Sequence, residues 1–119
     1  MSTHPNAMLI LVLTPDDLAR KTYRAILQDH SVEDESSPQI KIGGEDYTID
    51  VMEEEYDDDW QIRAREGDII LHDFITYGYG EKMSWDKLSA KRDALAAWAQ
   101  AIGEKHKCRF EIFVGANYW

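Results

Sequence analysis

Hydrophobic residues form two short, nearly continuous runs that predict buried β-strands. The first is Met8–Leu13, and the second begins at Ile69 and extends to Ile75. Thr14 and Pro15 end the first run, and the glycines at Gly78 and Gly80 follow the second. A short apolar run between turn-forming residues is typical of a strand that is covered on both faces. We therefore expect both runs inside one sheet.

An amphipathic pattern after the first run predicts a helix that ends near Asp29. Thr14 can cap its start, and Pro15 suits the first helical position. Asp16 and Asp17 would then lie at the positive end of the helix dipole. Both aspartates are expected to serve the helix start.

The second half of the chain predicts a longer helix and a final strand. Ser84 is a capping residue ahead of a helical pattern over Trp85–His106. Arg109–Val114 then has the composition of a strand. The residues that follow it, as far as Trp119, form a short aromatic tail.

Between the two helices the pattern predicts a β-hairpin and a short helix. Gln39–Ile42 and Tyr47–Val51 alternate in polarity on either side of Gly43 and Gly44, which leaves the register open. Residues 60–65 are expected to be helical. The predicted order is β-α-β-β-(short α)-β-α-β.

This order predicts a single α/β domain over residues 8–119, preceded by a flexible leader at 1–7. Strands that are joined through helices favour right-handed crossovers, so the expected fold is a mostly parallel sheet of four to five strands flanked by helices. The alternative is a two-layer α+β sandwich of ferredoxin type, with the hairpin as its middle strands.

Composition supports a soluble, intracellular protein. The chain has 119 residues, of which 44% are apolar and 30% charged, as in folded proteins. Cys108 is the single cysteine and cannot form an internal disulfide, which fits a reducing compartment. The apolar run at 8–13 is too short to span a membrane. We therefore expect a cytoplasmic protein without a membrane partner.

Net charge and one acidic segment indicate the kind of partner. Lysine and arginine number 13 against 23 acidic residues, a formal charge of −10, which argues against direct contact with nucleic acid. Six acids lie within seven residues, with aromatic side chains that are typical of interface anchors inside and beside them. We call this the acidic run and predict that it binds a basic protein: Glu53, Glu54, Glu55, Tyr56, Asp57, Asp58, Asp59 and Trp60.

A second group of aromatic residues follows the predicted strand ends. Tyr77 and Tyr79 come after the second apolar run, and Tyr118 and Trp119 come after the last strand, with Trp85 at the start of the long helix. In a parallel sheet these positions gather at the carboxyl edge. They either bind a partner or small ligand there or simply cover the edge of the core.

Residues with catalytic or ligand-binding chemistry do not form a credible set in the sequence. His72 and Asp73 are adjacent on a strand and therefore point to opposite faces. Cys108 and the four scattered histidines do not suggest a pair of nucleophile and base. The His106-x-Cys108 pair also lacks a second pair at zinc-ligand spacing. The Gly78-x-Gly80 spacing is not a dinucleotide fingerprint. We expect no enzymatic activity, no cofactor and no metal.

Several short stretches resemble the receiver domain of response regulators. DIILHD at 68–73 is similar to the family's third strand, which implies that Asp73 accepts phosphate. Asp16 and Asp17 then match the acidic pair that binds Mg²⁺ together with the acceptor. The match is degenerate, because Gly115 replaces the switch hydroxyl and the final strand with its lysine is absent.

The sequence therefore predicts a small, acidic, non-enzymatic protein-binding module. Its expected role is to inhibit or neutralise a basic, nucleic-acid-handling partner, as immunity proteins, antitoxins and phage inhibitors do. The alternative is a receiver-like signalling domain that is phosphorylated on Asp73. The pattern leaves the oligomeric state open.

Overall fold

A computed structural model describes residues 5–33, 36–52, 64–75 and 84–118 of the chain. They form five strands and two helices, in the order β1 Pro5–Pro15, α1 Ala19–Asp29, β2 Gln39–Ile42, β3 Glu45–Val51, β4 Ile69–Phe74, α2 Trp85–His106 and β5 Cys108–Tyr118. The first strand begins at Pro5, three residues ahead of the apolar run, and pairs with β5 over its whole length.

The described strands make one sheet in the order β2-β3-β4-β1-β5, and every neighbouring pair is antiparallel. Leu11 faces Leu71 on one side and Ile112 on the other. The predicted mostly parallel sheet is therefore wrong.

The direction of β1 accounts for the error. Both β4 and β5 run antiparallel to β1, so they run in the same direction as each other and α2 joins them as a crossover helix would. The pattern of elements predicts that crossover. It does not show that β1 inserts between the two strands and reverses both pairings.

The two-layer alternative also needs correction. The elements β1, α1, β3, β4, α2 and β5 follow one another in the order of a split β-α-β sandwich, and β2 is added outside β3. The β2–β3 hairpin consequently lies at an edge of the sheet rather than in its middle.

Two glycines make the hairpin turn. Gly43 and Gly44 have φ values of 60° and 85°, and Ile42 pairs with Glu45 across them. Positive φ at both central residues is what a two-residue turn of type I′ requires. The turn fixes the register that the alternating pattern left open.

One face of the sheet packs against both helices and forms the larger core. Residues of odd number on β1 and β4, such as Leu11 and Leu71, point to this face. The helices contribute these buried apolar residues: Tyr23, Ile26 and Leu27 from α1, and Leu95, Ala99 and Ile102 from α2. No helix among the described residues is long and apolar enough to cross a membrane.

The opposite face of β1 and β4 carries a second apolar cluster. Met8, Ile10, Val12 and Ile70 are buried there together with Ala64. Coverage on both faces explains why these two strands are apolar at consecutive positions, as the pattern predicted. It does not require a parallel sheet, because the antiparallel strands β1 and β4 are buried on this face as well, where Ala64 packs with them.

The two helices begin differently. Helix α2 starts where the pattern predicts, and Ser84 Oγ accepts the Lys87 N–H at 3.3 Å. The predicted start of α1 is wrong, because Pro15 still belongs to β1 and the helix begins at Ala19. Asp17 instead accepts the Leu18 N–H at 2.8 Å, in the link between strand and helix.

Polar contacts join the carboxyl ends of the helices. Lys105 Nζ donates to Asp29 Oδ1 at 2.8 Å, and His106 Nε2 lies 2.7 Å from Asp29 Oδ2. Nearby, Trp98 Nε1 donates to His30 Nε2 at 3.0 Å. These contacts hold α1 against α2 above the sheet.

Candidate functional site

The segment that contains the acidic run has its two ends hydrogen-bonded together. Met52 N–H donates to the Asp68 carbonyl at 2.8 Å, and Gly67 N–H donates to the Met52 carbonyl at 2.9 Å. These bonds extend the β3–β4 ladder by one step beyond the Val51–Ile69 pair. We call Met52 with Arg65–Asp68 the neck. The acidic run itself, residues 53–60, lies outside the described residues.

Asp68 locks the neck to the sheet. Its buried carboxylate accepts the Thr14 hydroxyl at 3.0 Å and the Arg65 N–H at 2.9 Å. Gly67 has φ of 92°, a conformation that favours glycine. This role of Asp68 was not predicted from the sequence, although an acid directly between a glycine and a buried apolar run is an available signal.

The strands that precede the predicted aromatic residues, β4 and β5, end at the opposite end of the sheet from the neck. The last residue of β4, Phe74, faces Met8 near the start of β1, as does Gly115 late in β5. Trp85 begins α2 and is 71% exposed. Tyr77, Tyr79 and Trp119 lie outside the described residues. The acidic run therefore precedes β4, and the aromatic group follows it, at opposite ends of the strand.

The three carboxylates of the receiver-like hypothesis do not come together. Asp73 faces Leu9, whereas Asp16 follows the last residue of β1. Seven residues of strand separate those positions, which is about 23 Å at the usual rise. Among the described residues, no group of three or more potential ligands is placed to hold a metal ion. The magnesium site implied by the resemblance lacks its geometry.

Asp73 instead forms an ion pair with a buried lysine. Lys91 Nζ on α2 contacts Asp73 Oδ2, and only 5% of the lysine side chain is exposed. Glu45 Oε2 lies 4.0 Å from the same ammonium. The second oxygen of Asp73 accepts the Phe74 N–H at 2.9 Å. Both charges are thus compensated at the junction of α2 with the sheet.

Tyr47 completes this buried polar cluster. The Lys91 ammonium lies 4.9 Å from the centre of the Tyr47 ring, a cation–π contact. Burial, and secondarily the charges of Asp73 and Glu45, raise the pKa of the Tyr47 phenol far above its usual range. Its buried hydroxyl has no hydrogen-bond partner among the described residues. The phenol therefore stays neutral.

A shallow groove of about 330 Å³ adjoins the cluster. It is lined by Ile42, Gly43, Glu45, Lys87, Ala90, Lys91 and Ala94. Lys91 already has a carboxylate partner and the Tyr47 hydroxyl is neutral, so neither of these two side chains is a free base or an activated nucleophile. We interpret it as a structural link between α2 and the sheet.

Lys91 was not predicted from the sequence as a buried residue, although its spacing along α2 indicates one. The buried residues of α2 are Lys91, Leu95, Ala99 and Ile102, spaced by four, four and three. A lysine at this spacing lies on the buried face of the helix, and its charge needs an anion beside it. Asp73 is the acid that the sheet supplies.

The remaining titratable candidates also lack catalytic geometry. His72 and Asp73 lie on opposite faces of β4, since His72 faces Ile10 in one cluster and Asp73 faces Leu9 in the other. Burial lowers the pKa of His72, although the Asp73 and Asp50 charges partly oppose it. Burial and the charge of Asp16 raise the pKa of the Cys108 thiol, so that it is not an activated thiolate.

Comparisons with known proteins returned no relatives. No protein-family model, no curated protein and no solved structure matches the chain. The site is therefore interpreted from its own geometry and charge.

Proposed function

We propose that the protein is a small, acidic, non-enzymatic binding module that neutralises a basic, nucleic-acid-handling protein. Its functional class would be that of immunity proteins, antitoxins and phage inhibitors. The single observation that carries the proposal is the neck, which closes the segment bearing six acids in seven residues onto the end of the β3–β4 pair.

The neck favours binding because it reduces the entropy that association costs. Both ends of the segment are tied to one another by the Met52 bonds, and Asp68 ties them to Thr14 of β1. A loop with fixed ends loses less conformational freedom when it meets a partner than a free tail does. The segment that contains the acids is thereby anchored at one place on the sheet.

Glu53–Asp59 contribute −6 of the formal net charge of −10 within seven residues, whereas an acid of the link between β1 and α1 is paired with a lysine. Asp17, at the same end of the sheet, pairs with Lys21 at 3.1 Å, and the Leu18 N–H and Lys21 together lower its pKa. That local pair is compensated. A surface of concentrated negative charge steers a basic groove toward it and competes with phosphate for the same lysines and arginines.

A capture experiment tests the proposal. The tagged protein is exposed to extract from its native host at low ionic strength, and retained proteins are identified by mass spectrometry. A variant reverses four acids of the run: Glu53→Lys, Glu54→Lys, Asp57→Lys and Asp58→Lys. A control makes the same change in net charge elsewhere: Glu33→Lys, Asp46→Lys, Asp93→Lys and Glu104→Lys, all at exposed positions.

The wild type and the control should retain the same basic protein, which the four-residue variant should lose. The retained protein should be released as salt is raised, because the contact is between opposite charges. Equal retention by the variant and the wild type, or loss from the control alone, would show that the acidic run is not the docking surface.

A further inference from the structure

We infer that a second copy of this chain pairs along the outer edge of β5. Within the described sheet β5 is an end strand of 11 residues, and its one described neighbour is β1. Such an edge presents a row of backbone donors and acceptors that can template another strand. The outer edge of β5 lies in a different part of the chain from the acidic run.

The other end of the sheet is protected in ways that β5 is not. Strand β2 has only four residues, and its exposed positions are Gln39 and Lys41. Short length and an exposed lysine are the usual means by which proteins prevent pairing at an edge. Strand β5 is nearly three times as long and carries exposed apolar residues: Phe110 is 39% exposed and Val114 is 56% exposed.

The side chains of β5 are complementary to themselves in one antiparallel register. If a two-fold axis passes beside Phe110, Arg109 of each copy faces Glu111 of the other, which gives two equivalent pairs. On the helix-covered face Phe110 then faces Phe110, and Cys108 faces Ile112. Arg109 and Glu111 are both exposed and therefore available for this pairing. Opposite charges and apolar pairs directly across two strands stabilise a sheet.

Neighbouring registers do not match in this way. An axis beside Glu111 places the two glutamates opposite each other, and an axis beside Arg109 places the two arginines opposite each other; like charges repel in both registers. An axis beside Ile112 places Arg109 opposite Gly115 and Glu111 opposite Phe113, so neither charge has an opposite partner. The charges thus select the register centred on Phe110.

A two-fold contact of this kind closes on itself. The same five residues of each strand, Cys108–Ile112, pair with their counterparts, so the assembly ends at two copies and does not grow into a fibre. The two five-stranded sheets become one continuous sheet. The neck of each copy lies at the β3–β4 pair, on the other side of β1 from the paired edge.

Charge exchange tests the inference on the full-length protein. Molar mass from light scattering after size-exclusion chromatography is measured at several concentrations for wild type, Arg109→Glu, Glu111→Arg and the double exchange. We expect a dimer for wild type, monomers for both single variants, and a dimer again for the double exchange. Both side chains are exposed, so each variant should fold, and thermal unfolding checks that it does.

Cysteine cross-linking tests the register. In a Cys108→Ser background, Phe110→Cys should form a cross-linked dimer with a short bismaleimide, whereas Val114→Cys, although more exposed, should not. A monomeric wild type overturns the inference, as do single charge variants that stay dimeric. Cross-linking through position 114 in place of 110 overturns the register and with it the charge argument.

Discussion

Lys91 on α2 and Asp73 on β4 form a buried ion pair that ties the long helix to the sheet. The ammonium also lies over the ring of Tyr47 on β3, so that a single side chain joins three elements. Asp73, which the receiver-like hypothesis treats as a phosphate acceptor, is therefore engaged in holding the fold together. Its function follows from its partner on α2.

Removal of one member of this pair should be costly. Lys91→Met leaves the Asp73 carboxylate without its cation in a site where its side chain is only 17% exposed. We expect a loss of about 3 kcal/mol in unfolding free energy, at the low end for a broken buried pair. The double variant Lys91→Met/Asp73→Leu should recover most of it, because neither charge is then buried alone. Urea unfolding of the single and double variants measures the coupling, and a negligible coupling would contradict the structural interpretation.

Ser84 should stabilise α2 through its cap. Its hydroxyl accepts the Lys87 N–H, so Ser84→Ala leaves that donor without its side-chain partner and should cost about 1 kcal/mol. Ser89→Ala in the interior of the same helix is the matched control. It should be neutral or slightly stabilising, because alanine is the better helix former. Equal effects of the two changes in thermal unfolding would show that the cap contributes nothing.

His72 should make the protein less stable below neutral pH. Burial holds the pKa of His72 below its usual 6.5. As pH falls below 6.5 the unfolded chain takes up a proton that the folded protein does not, so unfolding free energy decreases until the folded pKa is passed. His72→Phe should remove this part of the pH dependence. If the unfolding free energies of variant and wild type change in parallel between pH 5 and 8, His72 is not the source of this pH dependence.

Asp29 should contribute stability that disappears in acid. Hydrogen bonds from Lys105, and then from His106, hold the pKa of Asp29 below its usual 3.8. The contribution is present above that value and is lost as pH falls through the lower, folded pKa. Asp29→Asn should therefore cost up to about 1 kcal/mol at neutral pH and progressively less below pH 4. Asp93→Asn, on the exposed face of α2, should cost little at any pH, and a cost for Asp29→Asn that does not vary with pH would refute the assignment.

Local patterns in the sequence predict most of the elements. The extent of α2 matches the capping serine and the apolar spacing that follows it, and the hairpin residues lie where alternation and paired glycines indicate. Element order did not predict strand direction, however. A continuous apolar run indicates that a strand is buried on both faces. The antiparallel strands β1 and β4 are buried in this way, with Ala64 packed on the second face.

The site is less predictable than the fold because it depends on contacts between distant residues. Lys91 and Asp73 are 18 positions apart, and Thr14 and Asp68 are 54 apart. No local pattern shows that such pairs meet. The acidic run, by contrast, is apparent from composition alone, and what the structure adds is the neck that closes its ends.

Affinity for the captured basic partner tests the proposed function most directly. Isothermal titration measures the affinity of three proteins: the wild type, the four-residue charge reversal in the acidic run, and the matched control. The reversal should lower the affinity roughly 100-fold, and the control should leave it unchanged. The affinity of the wild type should also fall steeply as salt is raised. Equal affinities for wild type and the reversal, with no salt dependence, would contradict the proposal that the acidic run is the docking surface.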